Sequence, residues 1–180
     1  MTADDILSIY NKSGSSLYFG EPVTVAEHGL QSAFFAREAG ASDALVLAAL
    51  LHDVGHLIDS APDDIAEWVN DAHHEIIGSR WLSFHFGPEV YEPVRLHVPA
   101  KRYLCATDAA YARILSDASV QTLKLQGGPM SREEVVSFES EPYCREAVLL
   151  RRCDDQGKVH GLKTPGFEYY RELITRLLIA

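Results

Sequence analysis

An all-α fold is predicted by three features: apolar residues recur at helical spacing, capping residues and Gly or Pro bound those runs, and extended alternating segments are nearly absent. Thr2 with Asp5 makes a capping-box pattern that opens a short helix to about Tyr10. Ser13 to Ser16 reads as a loop. A helix from about Thr24 carries Val25, Leu30, Phe34 and Phe35, and stops at Gly40, since glycine takes the left-handed conformation of a helix end without steric cost. Ser42 caps the next helix, whose apolar body Ala44–Leu51 ends in His52-Asp53-Val54-Gly55-His56. A shorter helix is expected over Asp63–Val69, and another from about Asp71 to Phe86, closed by Gly87-Pro88. Pro88 suits the first turn of the following helix, where an N–H has no intrahelical partner anyway. Pro99 is expected to limit that helix, because a proline inside it removes a bond to the carbonyl four residues back. Asp108–Leu115 and Ser119–Leu125 read as helices, and Gly127-Gly128-Pro129 breaks the chain. Ser131 with Glu134 is a second capping box, and Pro142–Asp155 and Pro165–Leu178 read as the last two helices.

The 180 residues suit a single domain over 1–180, long enough for a full core without disulfides or structural metal. Sixteen Lys and Arg against 26 Asp and Glu leave a net charge of −10. Such a chain has no electrostatic footprint for nucleic acid or an anionic membrane, so a phosphate-bearing ligand must be met by a few local cations. Cys105, Cys144 and Cys153 form no CxxC and, being three, cannot all pair, which points to a reducing cytoplasm. Met1–Asp5 is acidic and lacks the basic start of a secretory leader. The longest apolar run, Ala44–Leu51, is far short of the ~20 residues of a membrane span.

The apolar helix ending at His52-Asp53 is the most informative local feature. Its body has almost no polar face and should be buried, where an ionised Asp and a His are costly unless paired or metal-bound. The plainer alternative is an imidazolium at a helix C-terminus, favoured by the dipole. His28 sits on the helix upstream, His74 opens the run His-Glu-Ile-Ile-Gly, His97 lies on a further helix, and Asp154 closes the helix near Asp155. Each alone is more simply a satisfied core or surface residue. Together they are four His and two Asp on five helices, and helical bundles build dinuclear sites from inward residues of facing helices. His85 and His160 fit no pattern and read as solvated; Cys153 reads as packing.

His28, His52-Asp53 and Asp154 form the H…HD…D pattern, which resembles the HD-domain superfamily of metal-dependent phosphohydrolases, and the added His74 and His97 resemble its dinuclear branch. Further segments narrow the likeness: Leu17-Tyr18-Phe19-Gly20-Glu21 ahead of Glu27-His28, the extra His56, His97-Val98-Pro99-Ala100-Lys101-Arg102-Tyr103-Leu104, Thr122 to Met130, and Arg151-Arg152-Cys153-Asp154-Asp155. From Tyr18 to Lys158 the combination resembles the mixed-valent diiron oxygenases that cleave C–P bonds of organophosphonates.

That resemblance implies two iron ions, Fe(II)/Fe(III), with O2 as co-substrate. His28, His52, Asp53 and Asp154 would hold one iron and His74, His97 and Asp53 the other, with Asp53 bridging. Tyr18 would occupy a coordination position until substrate arrives. Glu21 would hydrogen-bond with Tyr18 or meet the substrate's ammonium end. His56, Lys101, Ser119, Thr122, Gln126 and Arg151 would bind the phosphonate; the plainer reading of Lys101 and Arg151 is solvated surface charge. His73 adjoins His74 and Asp155 adjoins Asp154. The family spacing His-x-x-x-Gly favours His74, and Asp154 is preferred to Asp155. The implied substrate is (R)-1-hydroxy-2-(trimethylammonio)ethylphosphonate, cleaved to glycine betaine and phosphate. The acidic stretch Asp63–Asp71 with Trp68 offers what a quaternary ammonium needs, and equally reads as a solvated acidic helix. The alternatives are 2-amino-1-hydroxyethylphosphonate, giving glycine, and a hydrolytic HD phosphohydrolase acting on a nucleotide or phosphate ester. A non-catalytic binding module has no need of six metal ligands.

Overall fold

The computed structural model describes residues 1–18, 20–58 and 73–179. Helix α1 (Ala3–Ser13) and α2 (Val25–Glu38) each start at a threonine, Thr2 or Thr24. Its hydroxyl accepts the N–H of Asp5 or Glu27, whose carboxylate takes the threonine N–H in return. α3 (Asp43–Leu51), capped by Ser42, is buried all along Ala44–Leu51. A helix apolar on every side belongs at the centre, where each fully buried leucine contributes about 2 kcal/mol relative to exposure. After the short α4 (Gly55–Ile58) come α5 (His74–Ser83) and α6 (Pro88–Thr107). Next are α7 (Ala109–Ile114), α8 (Asp117–Leu125), α9 (Arg132–Glu139) and α10 (Cys144–Gln156). A 3-10 turn (Phe167–Tyr170) and α11 (Arg171–Leu177) close the chain. Among the described residues there is no strand, only an isolated bridge between Leu17 and Thr24. The all-α class is therefore as expected.

α3 is surrounded by α2, α6 and α10, and α6 is held between α5 and α10. The main core joins Ile6, Leu47, Leu50, Val54, Phe86, Val94, Leu150 and Ile174; a smaller cluster joins Leu96, Ala100, Phe138 and Ala147. Cys153 is buried as packing. Among the described residues no helix is long and apolar enough to cross a membrane.

Several boundaries differ from expectation. α6 does not stop at Pro99 but continues through Pro93 and Pro99 to Thr107. Burial of Val94, Leu96, Val98, Ala100 and Leu104 along it outweighs the lost bonds at the prolines. α1 extends past Tyr10 to Ser13, so the loop begins at Gly14. α10 starts at Cys144 rather than Pro142, because Tyr143 sits at φ 65°, which a right-handed helix cannot use. His85 is half-buried, not solvated: its ring meets Trp81 edge-on at 4.9 Å, and its carbonyl accepts from Ile179. The expected helix Asp63–Val69 and the start of the expected Asp71 helix lie outside the described residues.

Candidate metal centre

The centre forms where α3 ends. His52 caps the helix, Asp53 and Val54 turn the chain, and the carbonyls of Leu51 and Asp53 accept from Val54 (2.9 Å) and His56 (3.1 Å). Val54 fills the core, which turns Asp53 toward α2, α5, α6 and α10. Gly55 makes the next contact possible. A Cβ there would stand 2.1 Å from the His74 carbonyl oxygen, so only glycine lets α5 begin against this turn. α2 supplies His28, α5 His74, α6 His97 and α10 Asp154, and all six side chains are buried.

They fall into two groups, His28–His52–Asp154 and Asp53–His74–His97, the potential ligand atoms of each lying within 4.8 Å of one another. Nε2 of His28 and of His52 are 3.1 Å apart, and those of His74 and His97 are 3.2 Å apart. Asp53 stands between the pairs. Its Oδ2 lies 3.5 Å from His28 and 3.3 Å from His52, and its Oδ1 lies 3.5 Å from His74 and 3.7 Å from His97. One carboxylate thus offers one oxygen to each pair.

The ring orientations follow from the other nitrogen. Nδ1 of His28, His52 and His97 lies 2.9, 2.9 and 2.7 Å from the carbonyls of Gly157, Ala49 and Val94. A carbonyl only accepts, so Nδ1 carries a hydrogen and Nε2 is the nitrogen turned inward, where it can ligate once it bears no proton. Gly157 reaches His28 because it has no side chain; a Cβ there would meet Ser32 Oγ at 2.5 Å. Among the described residues, Asp53 Oδ2 and Asp154 Oδ1 are buried with no hydrogen-bond partner. Such carboxylate oxygens opposite converging imidazole Nε2 atoms fit two divalent or trivalent cations.

The electrostatics agree. Burial raises Asp53, but His52 and the other imidazoles hold it well below the usual carboxylate range. Burial likewise raises Asp154, which Arg151 above all pulls far down. Burial and the neighbouring imidazoles depress His74 strongly and His97 to about 4. Burial alone would lower His52, but the carboxylates of Asp53 and Asp154 lift it to about 9. Ionised carboxylates beside His74 and His97 held neutral suit a cation, and the proton on His52 is one that a bound cation would displace.

A small cavity, about 70 Å³, opens on this cluster. Every remaining residue that the resemblance nominated lines it: Tyr18, Glu21, His56, Lys101, Ser119, Thr122, Gln126 and Arg151. Tyr18 stacks on His28 with ring centroids 4.0 Å apart, and burial followed by the two aspartates pushes its hydroxyl well above 10. His56 stacks on His74 at 4.1 Å. Lys101 is buried and donates to Thr122 Oγ1 at 2.9 Å; burial, then Arg151, lowers its amine to about 7. Because α6 is continuous at Pro99, His97 and Lys101 share a face one turn apart. The Glu21 carboxylate accepts from Ser116 at 2.6 Å, and Gln126 Oε1 is buried with no hydrogen-bond partner among the described residues.

The neighbours of the preferred ligands are accounted for. His73 is exposed and outside both groups. Asp155 accepts from Arg151 Nε (3.0 Å) and from Tyr111, while Arg151 Nη1 holds Asp154 at 2.8 Å. Buried Arg151 is therefore committed to two carboxylates as well as facing the cavity. Sequence reasoning missed Lys158, which also lines the cavity. Nothing in its spacing marks it, since it follows the end of α10.

The HD domain family matches residues 25–155, a span holding all six buried ligand candidates, and the chain belongs to that family. It is an HD-domain oxygenase. The [1-hydroxy-2-(trimethylamino)ethyl]phosphonate dioxygenase (glycine-betaine-forming) of Leisingera caerulea is 39% identical over 170 residues, covering 94% of this chain and 87% of that protein. The hydroxymethylphosphonate dioxygenase of Gimesia maris is 43% identical over 166 residues, covering 92% and 82%. An uncharacterised protein of Acanthamoeba polyphaga mimivirus is 38% identical over 175 residues.

Proposed function

We propose that this protein cleaves the C–P bond of a small 1-hydroxyphosphonate with O2, releasing a carboxylate and phosphate, and that its two metals are iron in a mixed-valent Fe(II)/Fe(III) pair. The observation that carries this reading is Asp53, one oxygen toward each histidine pair, beside a cavity where Lys101, Arg151 and Lys158 gather. His28, His52, Asp154 and Asp53 would hold one ion, and Asp53, His74 and His97 the other. When bound, the pair supplies Lewis acidity and electron transfer with O2. The chain's own residues bind and orient. Lys101, with Thr122 and Ser119 beside it, meets the phosphonate by charge-assisted donation, while Arg151 adds charge and steadies Asp154. His56 and Gln126 complete that wall. Tyr18 covers the His28 ring and yields its place as substrate docks, which keeps O2 chemistry tied to a bound substrate.

The finer choice concerns the group on C1. (R)-1-Hydroxy-2-(trimethylammonio)ethylphosphonate, giving glycine betaine, is supported by the Glu21 carboxylate and Tyr18 ring in the lining and by the Leisingera relative's name. Asp63–Asp71 and Trp68, which favoured it in the sequence, lie outside the described residues. Hydroxymethylphosphonate is supported by the small cavity and the Gimesia relative's name. Comparing kcat/KM for these two and for 2-amino-1-hydroxyethylphosphonate decides among them. The reaction class is tested with the iron-loaded enzyme under labelled O2. Phosphate should appear only with O2, and one oxygen of the carboxylate should carry the label. Phosphate release without O2, or an unlabelled carboxylate, promotes a phosphohydrolase instead.

A further inference from the structure

We propose that Lys158 is a positioning residue for the substrate's anionic end, acting through Ser119; this rests on the phosphonate reading above. Lys158 follows α10, and its ammonium joins three separate parts of the site. It donates to Ser119 Oγ at 2.8 Å, at the start of α8. It lies 3.5 Å from Glu21 Oε1, in the turn that carries Tyr18, and 3.7 Å from Asp155 Oδ1, on α10. The Tyr18 ring centroid is 6.0 Å away.

The consequence for Ser119 follows from donor counting. An ammonium has donors only, so Ser119 Oγ must accept from it. The Ser119 N–H is already bonded to Ser116 Oγ at 3.2 Å, and the Ser116 hydroxyl goes to Glu21 at 2.6 Å. Among the described residues, no group accepts the Ser119 hydroxyl hydrogen. Ser119 is buried and lines the cavity, so that hydrogen is left for an anion inside it. Accepting from a cation also polarises the Ser119 O–H, making it a better donor. Thr122 is wired differently: its Oγ1 lies 3.2 Å from the Ser119 carbonyl, which takes its hydrogen, so beside it Lys101 is the donor to the ligand. Shared between Glu21 and Asp155, Lys158 orients Ser119 rather than binding the ligand itself.

The test measures calorimetric affinity of the metal-loaded enzyme for methylphosphonate, a probe without the reacting hydroxyl, in a double-mutant cycle. Lys158→Met and Ser119→Ala should each weaken binding about tenfold, as loss of one charge-assisted contact does. The double variant should bind no more weakly than either single one, because Lys158 acts only through the Ser119 hydroxyl. Lys158→Arg, which keeps charge and donation, should stay within about threefold of wild type. Additive losses overturn the proposal, as do unchanged affinity in Lys158→Met or an equal loss in Lys158→Arg at intact metal content. Wild type that fails to bind methylphosphonate overturns the phosphonate reading itself, and this proposal with it.

Discussion

His28 and His52 are fully buried and held at Nδ1 by backbone carbonyls, whereas His74, on the other side of Asp53, is 8% exposed, lines the cavity and, among the described residues, has no hydrogen-bond partner at Nδ1, only the Glu75 carboxylate 3.7 Å away. Tyr18 lies over His28 on the first side, where only Asp154 of the group His28–His52–Asp154 lines the small cavity, while both His74 and His97 line it on the second. A closed, fully supported ligand set holds a metal for its own sake; one facing a cavity keeps positions for a reactant. On the reading proposed above, substrate would meet the His74–His97 half.

The harshest way to break this comparison is to remove what the halves share. Asp53→Ala should drop the metal content from about two per chain to none, read by mass spectrometry. If one metal survives at full occupancy, Asp53 is not a bridge. His74→Ala separates the halves. It should retain about one metal per chain and lose at least 100-fold in activity, since even outer residues of such sites cost 10–100-fold. His73→Ala in the same assay should match wild type.

A smaller effect is expected at Lys101, on the cavity side. Lys101→Met should cost about 2 kcal/mol in phosphonate affinity while metal content stays intact. Burial, then Arg151, lowers this amine from 10.5 to about 7, so it is charged below that pH and neutral above it. Anion affinity should fall as pH rises from 7 to 9, and binding at pH 8 should take up a proton, seen by calorimetry in buffers of different ionisation enthalpy. Lys101→Met should abolish that uptake.

The mildest change probes the closed half. Gly157→Ala places a Cβ against Ser32 and displaces the carbonyl that orients His28. Metal affinity should weaken about tenfold in that half alone, measured by competition with a chelator. Equal loss from both halves would dissolve the distinction.

Much of this was legible locally. Thr2, Ser42 and Ser131 cap the helices they were expected to cap, because a cap bond spans only three residues. The cost of burying His52 and Asp53 at the end of an apolar helix was readable too, and it pointed to a paired or metal-bound site. Assigning the other ligands required the family's spacing, since each histidine alone was ambiguous.

Residue types, caps and the apolar body of α3 are properties of the sequence itself, because they depend on neighbours a few positions apart. Tertiary structure decided the rest. It carried α6 through Pro99, where packing between α5 and α10 outweighs a local helix breaker. It set Asp154 among the residues that could hold a metal and left Asp155 to Arg151 and Tyr111, although the two are adjacent in the chain. It brought Lys158 to Ser119, 39 positions away, and to Glu21. Such pairings have no period and no local cost in the sequence; they exist only once the core has fixed the distances between helices.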